Sequence, residues 1–446
     1  MYHFSAFFQQ VNAKKFIFFL ALYTIKSYIL RCITQMNLKR IFFMDTGDRF
    51  EARIEKTVFG GDAFCKAPDG MAVFVANALV GELLLLEIKS VKKSFARAKI
   101  LKIIEPSPHR TEPVCPYADV CCNCKYLVMS FEEENKVKHS QLRDAILRES
   151  PDDLQALDDK IISSREFKYR NKVCFHAHRV GKLLDVGYVK SDNVSVFDVE
   201  KCLLLADEIQ NEYDKIRENI SVMHSFRDGM EITLRYESGK NQVHFWRNSP
   251  DKHATWLREK LSCGMFSVPL GNFFQVNNEI ADKLLETAAD AVASSGAEEL
   301  LDLYCGAGFF SFGCAAKCQN IKRIYGVEIE EASIECAKFN LKDFENIESR
   351  FYAGDSAKKL PDILKNLKGN SCVIVDPPRN GLDAKLPALL GRTDAVKSIV
   401  YISCNLATWA RDLHRLKKYG FNLQKVQGFN MFPRTGHFEI FSVWTR

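Results

Sequence analysis

Strand-like apolar runs alternate with helix-like stretches in the C-terminal part of the chain, from about Gly271 onward. Each of five runs is followed by a segment with helical periodicity, and this alternation is typical of a parallel sheet with helices on both faces. The runs are Glu298–Tyr304, Arg323–Glu328, Ser349–Ala353, Cys372–Asp376 and Ser398–Ser403. The sequence therefore predicts a doubly wound α/β domain, in which ligands bind at the carboxyl ends of the strands.

The segment 45–105 consists of short strand-like runs and turns. Phe50–Val58 alternates apolar and polar side chains, and Asp69-Gly70 is a hairpin signal before another apolar run. Five such runs predict a small β-barrel of the kind that binds nucleic acids. Six lysines and arginines between positions 89 and 102 suit an RNA-facing surface, although an ordinary solvated barrel face has the same composition.

A linker with three prolines follows, between positions 106 and 113. Beyond it, Phe131–Glu149 has a helical pattern with mixed charges, and residues from about Phe167 to Cys263 are typical of antiparallel strands joined by polar turns. A chain of 446 residues is long enough for two or three domains. We expect three, at 45–105, 106–265 and 266–446, with the helix near 131–149 able to pack on the last.

Residues 1–44 differ from the rest of the chain. The apolar run Phe16–Tyr23 follows two lysines like a signal peptide, but it is too short to span a bilayer and no small-residue cleavage site is clear. We interpret residues 1–44 as a leader that is either disordered or translated from a start upstream of Met36 or Met44. No other segment is apolar for long enough to predict a transmembrane helix, so no membrane association is expected.

Fifteen cysteines are unevenly distributed along the chain. Four of them crowd together: Cys115, Cys121, Cys122 and Cys124. Clustered thiolates repel one another unless a metal neutralises them, and the second CxxC of a common zinc site is missing. A distant fourth thiolate would complete an iron–sulfur site, and Cys202 is preferred because Cys174 lies inside a strand-like run. The alternative is a set of free or disulfide-forming cysteines; the scattered remainder favours a reducing compartment, the cytoplasm.

A glycine turn follows the first strand of the α/β domain, at Leu300–Gly308. Its glycines let a ligand approach the backbone at a helix N-terminus, and Glu328 ends the next strand, where a carboxylate can bind ribose hydroxyls. The next glycine, Gly313, does not complete the nicotinamide pattern G-x-G-x-x-G. Asp355 follows the third strand, where it could meet the adenine end of a ligand or simply cap the following helix.

Three residues that can carry chemistry stand at strand ends. Asp376 ends a buried strand before two prolines, Cys404 ends the next strand beside a helix start, and Glu439 begins a strand after a turn. A helix N-terminus favours the thiolate form of a cysteine. Singly, a buried cysteine is more often a packing residue and a strand glutamate a surface residue, but together the three suggest a catalytic site.

Methylation of a pyrimidine at carbon 5 needs this set of groups. A thiolate that adds to carbon 6 turns the ring into an enolate, which is nucleophilic at carbon 5 and takes the methyl group. A base then removes the carbon-5 proton so that the cysteine can leave. Cys404, Asp376 and Glu439 fit the roles of nucleophile, of the group that stabilises the ring's developing charge, and of base.

On these motifs the sequence from Asp45 to Arg446 resembles the RNA uracil-5-methyltransferases, specifically the RumA-like branch that carries a TRAM domain and an iron–sulfur cluster. The resemblance rests on the cysteine cluster and on five short motifs: Phe273–Asn277, Leu301–Gly306, Asp376–Arg379, Ser403–Asn405 and Thr435–Glu439. It implies a TRAM β-barrel, a central domain with a [4Fe–4S] cluster, and a class I methyltransferase domain that uses S-adenosylmethionine.

The resemblance also implies roles for individual residues, with Cys404 as nucleophile and Glu439 as proton-abstracting base. The pocket for S-adenosylmethionine and uracil would be lined by Gln275, Tyr304, Glu328, Asp355 and Asp376, with Phe309 as a further contact. The cluster ligands would be Cys115, Cys121, Cys124 and Cys202, with Cys122 competing with Cys121. The basic stretch Phe167–Lys172 would contact phosphates and stack on bases.

The expected substrate is structured RNA, with the target uridine flipped out of its stack because a stacked base could not reach Cys404. Large-subunit (23S) ribosomal RNA is favoured, and transfer RNA is the alternative within the family. Two other functions are considered: an inactive RNA-binding protein, which leaves Cys404 without a role, and an iron–sulfur nicotinamide oxidoreductase. No obligate protein partner is evident.

Overall fold

The computed structural model describes residues 44–446 except 182, 191, 193 and 251–254. The leader predicted at residues 1–44 lies, apart from Met44, outside the described residues. The described chain forms two compact units. The first runs to Lys56 and resumes for Ala63–Ser107, and the second consists of Thr57–Asp62 and Pro108–Arg446. Within the part of the chain that the structure describes, no helix has the length and apolar character needed to cross a bilayer.

A six-stranded sheet is formed by residues 49–105, in the order β1-β5-β6-β4-β3-β2. The strands are β1 (Arg49–Arg53), β2 (Lys56–Thr57), β3 (Ala63–Lys66), β4 (Ala72–Val75), β5 (Leu83–Val91) and β6 (Phe95–Glu105). The sequence predicts five strands because Phe50–Val58 reads as one run. It is broken where the backbone changes partner: Ile54 donates to Glu82 and Glu55 to Phe64.

A five-stranded antiparallel sheet, in the order β11-β10-β7-β8-β9, confirms the antiparallel pattern predicted in the middle of the chain. Its strands are β7 (Lys172–Val180), β8 (Leu183–Val189), β9 (Val196–Asp198), β10 (Glu231–Glu237) and β11 (Gln242–Arg247). One face is covered by helix α2 (Asp207–Glu218), where Tyr213 stacks on Phe175 with ring centroids 4.3 Å apart. The sequence reasoning missed α2 and the short α3 (Ile220–His224).

The C-terminal sheet has seven strands in the order β16-β15-β14-β17-β18-β20-β19, and the first five are parallel. They are β14 (Glu299–Leu303), β15 (Arg323–Glu328), β16 (Glu348–Ala353), β17 (Ser371–Val375), β18 (Val396–Ser403), β19 (Asn422–Phe429) and β20 (Glu439–Thr445). All five predicted strands are present within two residues of their expected bounds, which confirms the doubly wound α/β prediction. β20 runs antiparallel between β18 and β19.

Helices cover both faces of this sheet, one before its first strand and the others after its parallel strands. They are α4 (Asn278–Ser294), α5 (Phe309–Lys317), α6 (Glu331–Leu341), α7 (Ser356–Leu364), α8 (Leu386–Gly391) and α9 (Leu406–Lys418). On one face, α4 and α5 share a core with the hairpin of β12 (Trp256–Leu261) and β13 (Gly264–Pro269), to which Leu257 and Phe266 contribute. On the other face, α9 packs through Trp409.

Helix α1 (Phe131–Glu149) has the bounds predicted from its charge and apolar pattern. Ser130 caps its N-terminus, and the Ser130 hydroxyl accepts a hydrogen bond from the Glu133 amide. Acidic residues fill the first turn, where their negative charges interact favourably with the positive end of the helix dipole. Leu142 and Ile146 lie in the same core as Trp409, so α1 packs against the seven-stranded sheet and its helices. A 3-10 helix, Pro151–Ala156, then leads the chain along β19.

Candidate active site

The turn between β14 and α5 has an unusual backbone. Tyr304, Gly306 and Gly308 all have positive φ angles, of 66°, 54° and 80°. Gly308 also lies against α6, where an added Cβ would stand 3.2 Å from the Cβ of Ala337. The glycine is therefore required both by its left-handed conformation and by the close approach of α6. The turn leaves the first amides of α5 facing the carboxyl edge of the sheet.

Glu328 at the end of β15 is held by backbone amides. One carboxylate oxygen accepts from the Gly306 amide at 3.1 Å, and the other accepts from the Ile329 amide at 2.7 Å. This arrangement ties the glycine turn to the end of the next strand. The carboxylate stands beside the turn, as the ribose-binding prediction requires, with lone pairs remaining for further donors.

Asp302 is a residue that the sequence reasoning missed. It is fully buried in β14 and accepts hydrogen bonds from the amide and the hydroxyl of Ser311, at 3.0 and 2.6 Å. Burial raises its pKa to about 7. Its other oxygen finds no hydrogen-bond partner among the described residues. The signal in the sequence was a carboxylate inside an otherwise apolar strand, and Asp302 braces the first turn of α5.

A cleft with about 430 Å³ of empty space opens beside the glycine turn. It brings together three of the predicted pocket residues, Gln275, Tyr304 and Asp376, and it is also lined by Gly306 and Phe309. The Gln275 side chain is buried, and its oxygen has no hydrogen-bond partner in the described chain. An unsatisfied polar atom beside an open cleft suits a ligand that donates a hydrogen bond.

Asp355 lies differently from the other predicted pocket residues. Its carboxylate accepts from the Lys358 amide at 3.0 Å and caps α7, which is the ordinary role considered for it. It is not among the residues described as lining the cleft. Burial, followed by the negative charges of Asp383 and Asp355, raises the pKa of Tyr304 to about 12.

Cys404, Glu439 and Asp376 meet at the carboxyl edge of the sheet. Asp376 follows β17 and Cys404 follows the adjacent β18. Glu439 begins β20, whose antiparallel register against β18 places the end of β18 opposite the start of β20. The topology therefore brings the thiol and both carboxyl groups to one place, beside the cleft that Asp376 lines.

The environment of Cys404 does not favour its thiolate. Burial raises the pKa of Cys404 to about 11, with further increases from the charges of Glu439 and Asp376, while Arg379 acts in the opposite direction. The structure therefore does not bear out the expectation that the helix N-terminus favours the thiolate of Cys404. Burial is the main physical reason, and the nearby carboxyl groups of Glu439 and Asp376 add to it.

Both carboxyl groups hold their protons more tightly than exposed ones. Burial raises the pKa of Glu439, which is 4% exposed, and the negative charge of Asp376 adds to this effect. Burial also raises the pKa of Asp376. Arg379 opposes the shift at Glu439. Each group can therefore exchange a proton near neutral pH, as general acids and bases must.

Four cysteines line a second, apolar cavity: Cys115, Cys121, Cys124 and Cys202. Cys122 is not among its lining residues, and Cys174 lies in β7. Burial raises the pKa of Cys124. The negative charge that Cys202, Cys121 and Cys115 carry as thiolates raises it further. Nowhere in the described residues do three or more His, Cys, Asp or Glu side chains form a site for a single metal ion.

The basic stretch Phe167–Lys172 is largely occupied by contacts within the protein. Tyr169 is buried, and its hydroxyl donates to the Pro433 carbonyl at 3.0 Å. Lys168 is exposed and pairs with Asp207 at 2.9 Å. The prediction that this aromatic stacks on RNA bases is therefore wrong for Tyr169, because a buried phenol that anchors a loop presents no free ring face.

Comparison with known proteins gives the following relatives. A family model described as tRNA (Uracil-5-)-methyltransferase matches residues 202–445, more than half of the chain. An uncharacterised RNA methyltransferase of Clostridium acetobutylicum is 28% identical over an alignment of 424 positions that covers 83% of this chain and 91% of that one. The tRNA (uracil(54)-C(5))-methyltransferase of Schizosaccharomyces pombe is 28% identical over an alignment of 403 positions that covers 85% of this chain and 74% of that one.

A solved structure shares the fold. The Pyrococcus abyssi tRNA (uracil-54, C5)-methyltransferase, in complex with S-adenosyl-L-homocysteine, superimposes with a TM-score of 0.66 at 19% identity, and the match covers 88% of this chain and 99% of that one. The likeness agrees with the sheet order and confirms a class I methyltransferase fold. The family model decides the identity: the chain belongs to the tRNA (uracil-5-)-methyltransferase family and is an RNA methyltransferase.

Proposed function

We propose that this chain transfers a methyl group from S-adenosylmethionine to carbon 5 of a uridine in structured RNA, through a transient bond between Cys404 and the uracil ring. The observation that carries the proposal is the meeting of Cys404, Asp376 and Glu439 at one sheet edge, beside a cleft bounded by the glycine turn. Family membership supplies the reaction class, and the geometry supplies the residues.

S-adenosylmethionine would bind in the cleft that Gln275, Tyr304 and Asp376 line. Glu328 would accept the ribose hydroxyls, and the first amides of α5 would face the charged end of the ligand. Asp355 would stand near the adenine. The S-adenosyl-L-homocysteine bound by the Pyrococcus abyssi relative, which has the same fold, supports this choice of methyl donor.

The raised pKa of Cys404 requires that its proton leave as the pyrimidine binds. In the proposed first step the thiol gives this proton to Asp376, and the sulfur adds to carbon 6 of the uracil. Protonated Asp376 then donates a hydrogen bond to the ring oxygen that gains negative charge. Because burial raises its pKa, Asp376 holds this proton more readily than an exposed carboxylate would.

Methyl transfer and release of the product follow. Carbon 5 of the enolate takes the methyl group from the sulfonium, leaving S-adenosylhomocysteine. Glu439 then accepts the carbon-5 proton, the electrons of that bond form the ring double bond, and the carbon–sulfur bond breaks. The thiolate that leaves regains a proton from Asp376, and Glu439 then releases the proton that it accepted to solvent, which restores the resting site.

The four-cysteine cavity fits a [4Fe–4S] cluster better than a single metal ion. A cluster is larger than an ion, so its thiolates stand apart around a cavity, as Cys115, Cys121, Cys124 and Cys202 do. As thiolates these side chains repel one another, and the positive charge of iron would relieve that repulsion. Such a cluster would join the segment around Cys124 to the distant Cys202. No step of methyl transfer needs it.

The proposed domain division remains 45–105 as a TRAM-type RNA-binding barrel, 106–265 as a central domain and 266–446 as the methyltransferase domain. The boundary near residue 105 lies close to Ser107, where the first compact unit ends. The cysteine cavity favours 23S ribosomal RNA as substrate, in keeping with the branch that the sequence resembles. Transfer RNA is the second candidate, supported by the names of the fission-yeast and Pyrococcus relatives.

Mapping 5-methyluridine in total RNA from cells with and without this gene tests the proposed function. The expected result is the loss of one or a few 5-methyluridines from large-subunit ribosomal RNA, restored by the wild-type gene and not by Cys404→Ala. Loss from transfer RNA alone would select the second candidate. Full restoration by Cys404→Ala would refute the covalent route.

A further inference from the structure

The loop 430–438 joins β19 to β20 and leads directly into Glu439. It is tied to helix α1 by a buried ion pair almost 300 residues away in sequence. Lys138 on α1 donates to Glu134 at 2.7 Å, to the Asn430 side chain at 2.7 Å and to the Phe432 carbonyl at 3.2 Å. The side chains of Lys138 and Glu134 are both fully buried.

Glu134 extends the same network to the middle of the loop. Its carboxylate accepts from the Asn430 side chain at 3.0 Å and from the Arg434 amide at 2.9 Å. The guanidinium of Arg434 in turn donates to the carbonyls of Tyr126 and Met129, at 2.6 and 2.8 Å. The network therefore fixes three positions of the loop 430–438: the Asn430 side chain, the Phe432 carbonyl and the Arg434 amide. It also ties the Arg434 side chain to the segment before α1.

The backbone of the loop could not hold this shape by itself. Arg434 has a φ of 66°, in the left-handed region that a long side chain rarely adopts. Such strain persists only where surrounding contacts determine the conformation. Glu134 contacts Arg434 directly, and Lys138 fixes Asn430 and Phe432 earlier in the loop. A buried ion pair is a weak source of stability because both charges lose their hydration. Its effect is to select one conformation of the loop.

We propose that Glu134 and Lys138 are positioning residues that hold the loop 430–438 so that Glu439 can remove the carbon-5 proton. This inference rests on the proposed function, since it assigns a task to the base of that reaction. Addition of Cys404 and methyl transfer precede proton removal and do not use Glu439. Loosening the loop therefore slows the last step selectively, and the methylated RNA remains attached to the protein.

Lys138→Met and its matched control Lys136→Met test the inference. Lys136 lies on the same helix and also pairs with a glutamate four residues before it, Glu132, at 2.7 Å, but both partners are exposed. Each variant is incubated with RNA and with S-adenosylmethionine labelled in the methyl group. Denaturing gels then measure the labelled RNA that stays bound to protein, and rapid-quench sampling separates its formation from its decay.

In Lys138→Met we expect the labelled adduct to decay at least about tenfold more slowly than in the wild type, with kcat lowered and KM for RNA nearly unchanged. Lys136→Met should behave as the wild type. A merely structural role predicts loss of all steps together, in proportion to unfolded protein. Adduct decay at the wild-type rate in folded Lys138→Met overturns the inference.

A second variant covers the case in which Lys138→Met does not fold. Glu134→Gln/Lys138→Gln replaces both charges of the pair by amides, so its fixed geometry is lost. The Arg434 guanidinium, which also pairs with Glu134 at 3.3 Å, keeps Glu166 at 3.8 Å as a carboxylate partner. Slow adduct decay in this variant supports the inference, and wild-type decay overturns it. A separate wild-type reaction with 5-fluorouridine RNA reports on the proposed function alone, because fluorine at carbon 5 cannot leave as a proton does and traps any Cys404 adduct.

Discussion

Replacing Gly308 by alanine should weaken both the fold of the glycine turn and the binding of S-adenosylmethionine. The added methyl group enters a backbone with a φ of 80° and stands 3.2 Å from the Cβ of Ala337 and 3.6 Å from a methyl of Leu341. Left-handed backbone costs an L-residue roughly 1–2 kcal/mol. The tight contact adds to this cost, so we expect about 2 kcal/mol of destabilisation, or a melting temperature about 4–8 °C lower.

Gly420→Ala is the matched control, because Gly420 has a φ of 86° and open space where its Cβ would stand. It incurs the backbone cost without the contact against α6. Thermal unfolding and calorimetric titration with S-adenosylmethionine measure the two effects for both variants. We expect Gly308→Ala to bind at least about tenfold more weakly, about 1.4 kcal/mol, and Gly420→Ala to bind as the wild type does. Binding by Gly308→Ala within twofold of the wild type would refute the role given to this turn.

Four further outcomes are expected. Cys404→Ala should bind S-adenosylmethionine normally, since Cys404 is not among the described residues that line the cleft, yet form no RNA adduct on denaturing gels. Because burial raises the pKa of Glu439, its carboxylate fraction, and with it the rate of adduct decay, should rise with pH above the usual carboxylic range; a rate independent of pH from 6 to 9 would argue against Glu439 as base. Arg379→Met removes the charge that lowers this pKa, so the same rise should occur at higher pH. Cys121→Ser should lose iron and its visible absorbance, whereas Cys122→Ser, outside the cavity lining, should retain both; the reverse result would exchange their roles.

The five parallel strands of the C-terminal sheet were predictable from sequence because most of them carry two signals at once. The central strands β14, β17 and β18 are apolar runs buried almost throughout, and the chain continues from them into glycine or polar residues, such as Asp376 after β17. In a parallel sheet these ends share one edge, so the motifs could be expected to meet without knowledge of any distance. The position of β20 was less evident, since an antiparallel strand between β18 and β19 has no distinct pattern of its own.

Other features of the site could not be predicted because they depend on what surrounds a residue. Lys138 and Glu134 resemble an ordinary exposed pair four residues apart on a helix, and only the fold shows that they are buried against the loop 430–438. Tyr169 resembles an RNA-stacking aromatic until its hydroxyl is seen to reach Pro433. The pKa of Cys404 likewise follows from burial and from two carboxyl groups that other strands supply.

The most direct test of the account is the mass of the peptide that carries Cys404 after reaction with S-adenosylmethionine and a 5-fluorouridine form of the substrate RNA, followed by nuclease and protease digestion. We predict that this peptide gains the mass of a methylated 5-fluorouridine nucleotide, and that Cys404→Ala protein gains none. A methylated RNA product without any modified Cys404 peptide, or an adduct on another cysteine, would contradict the account.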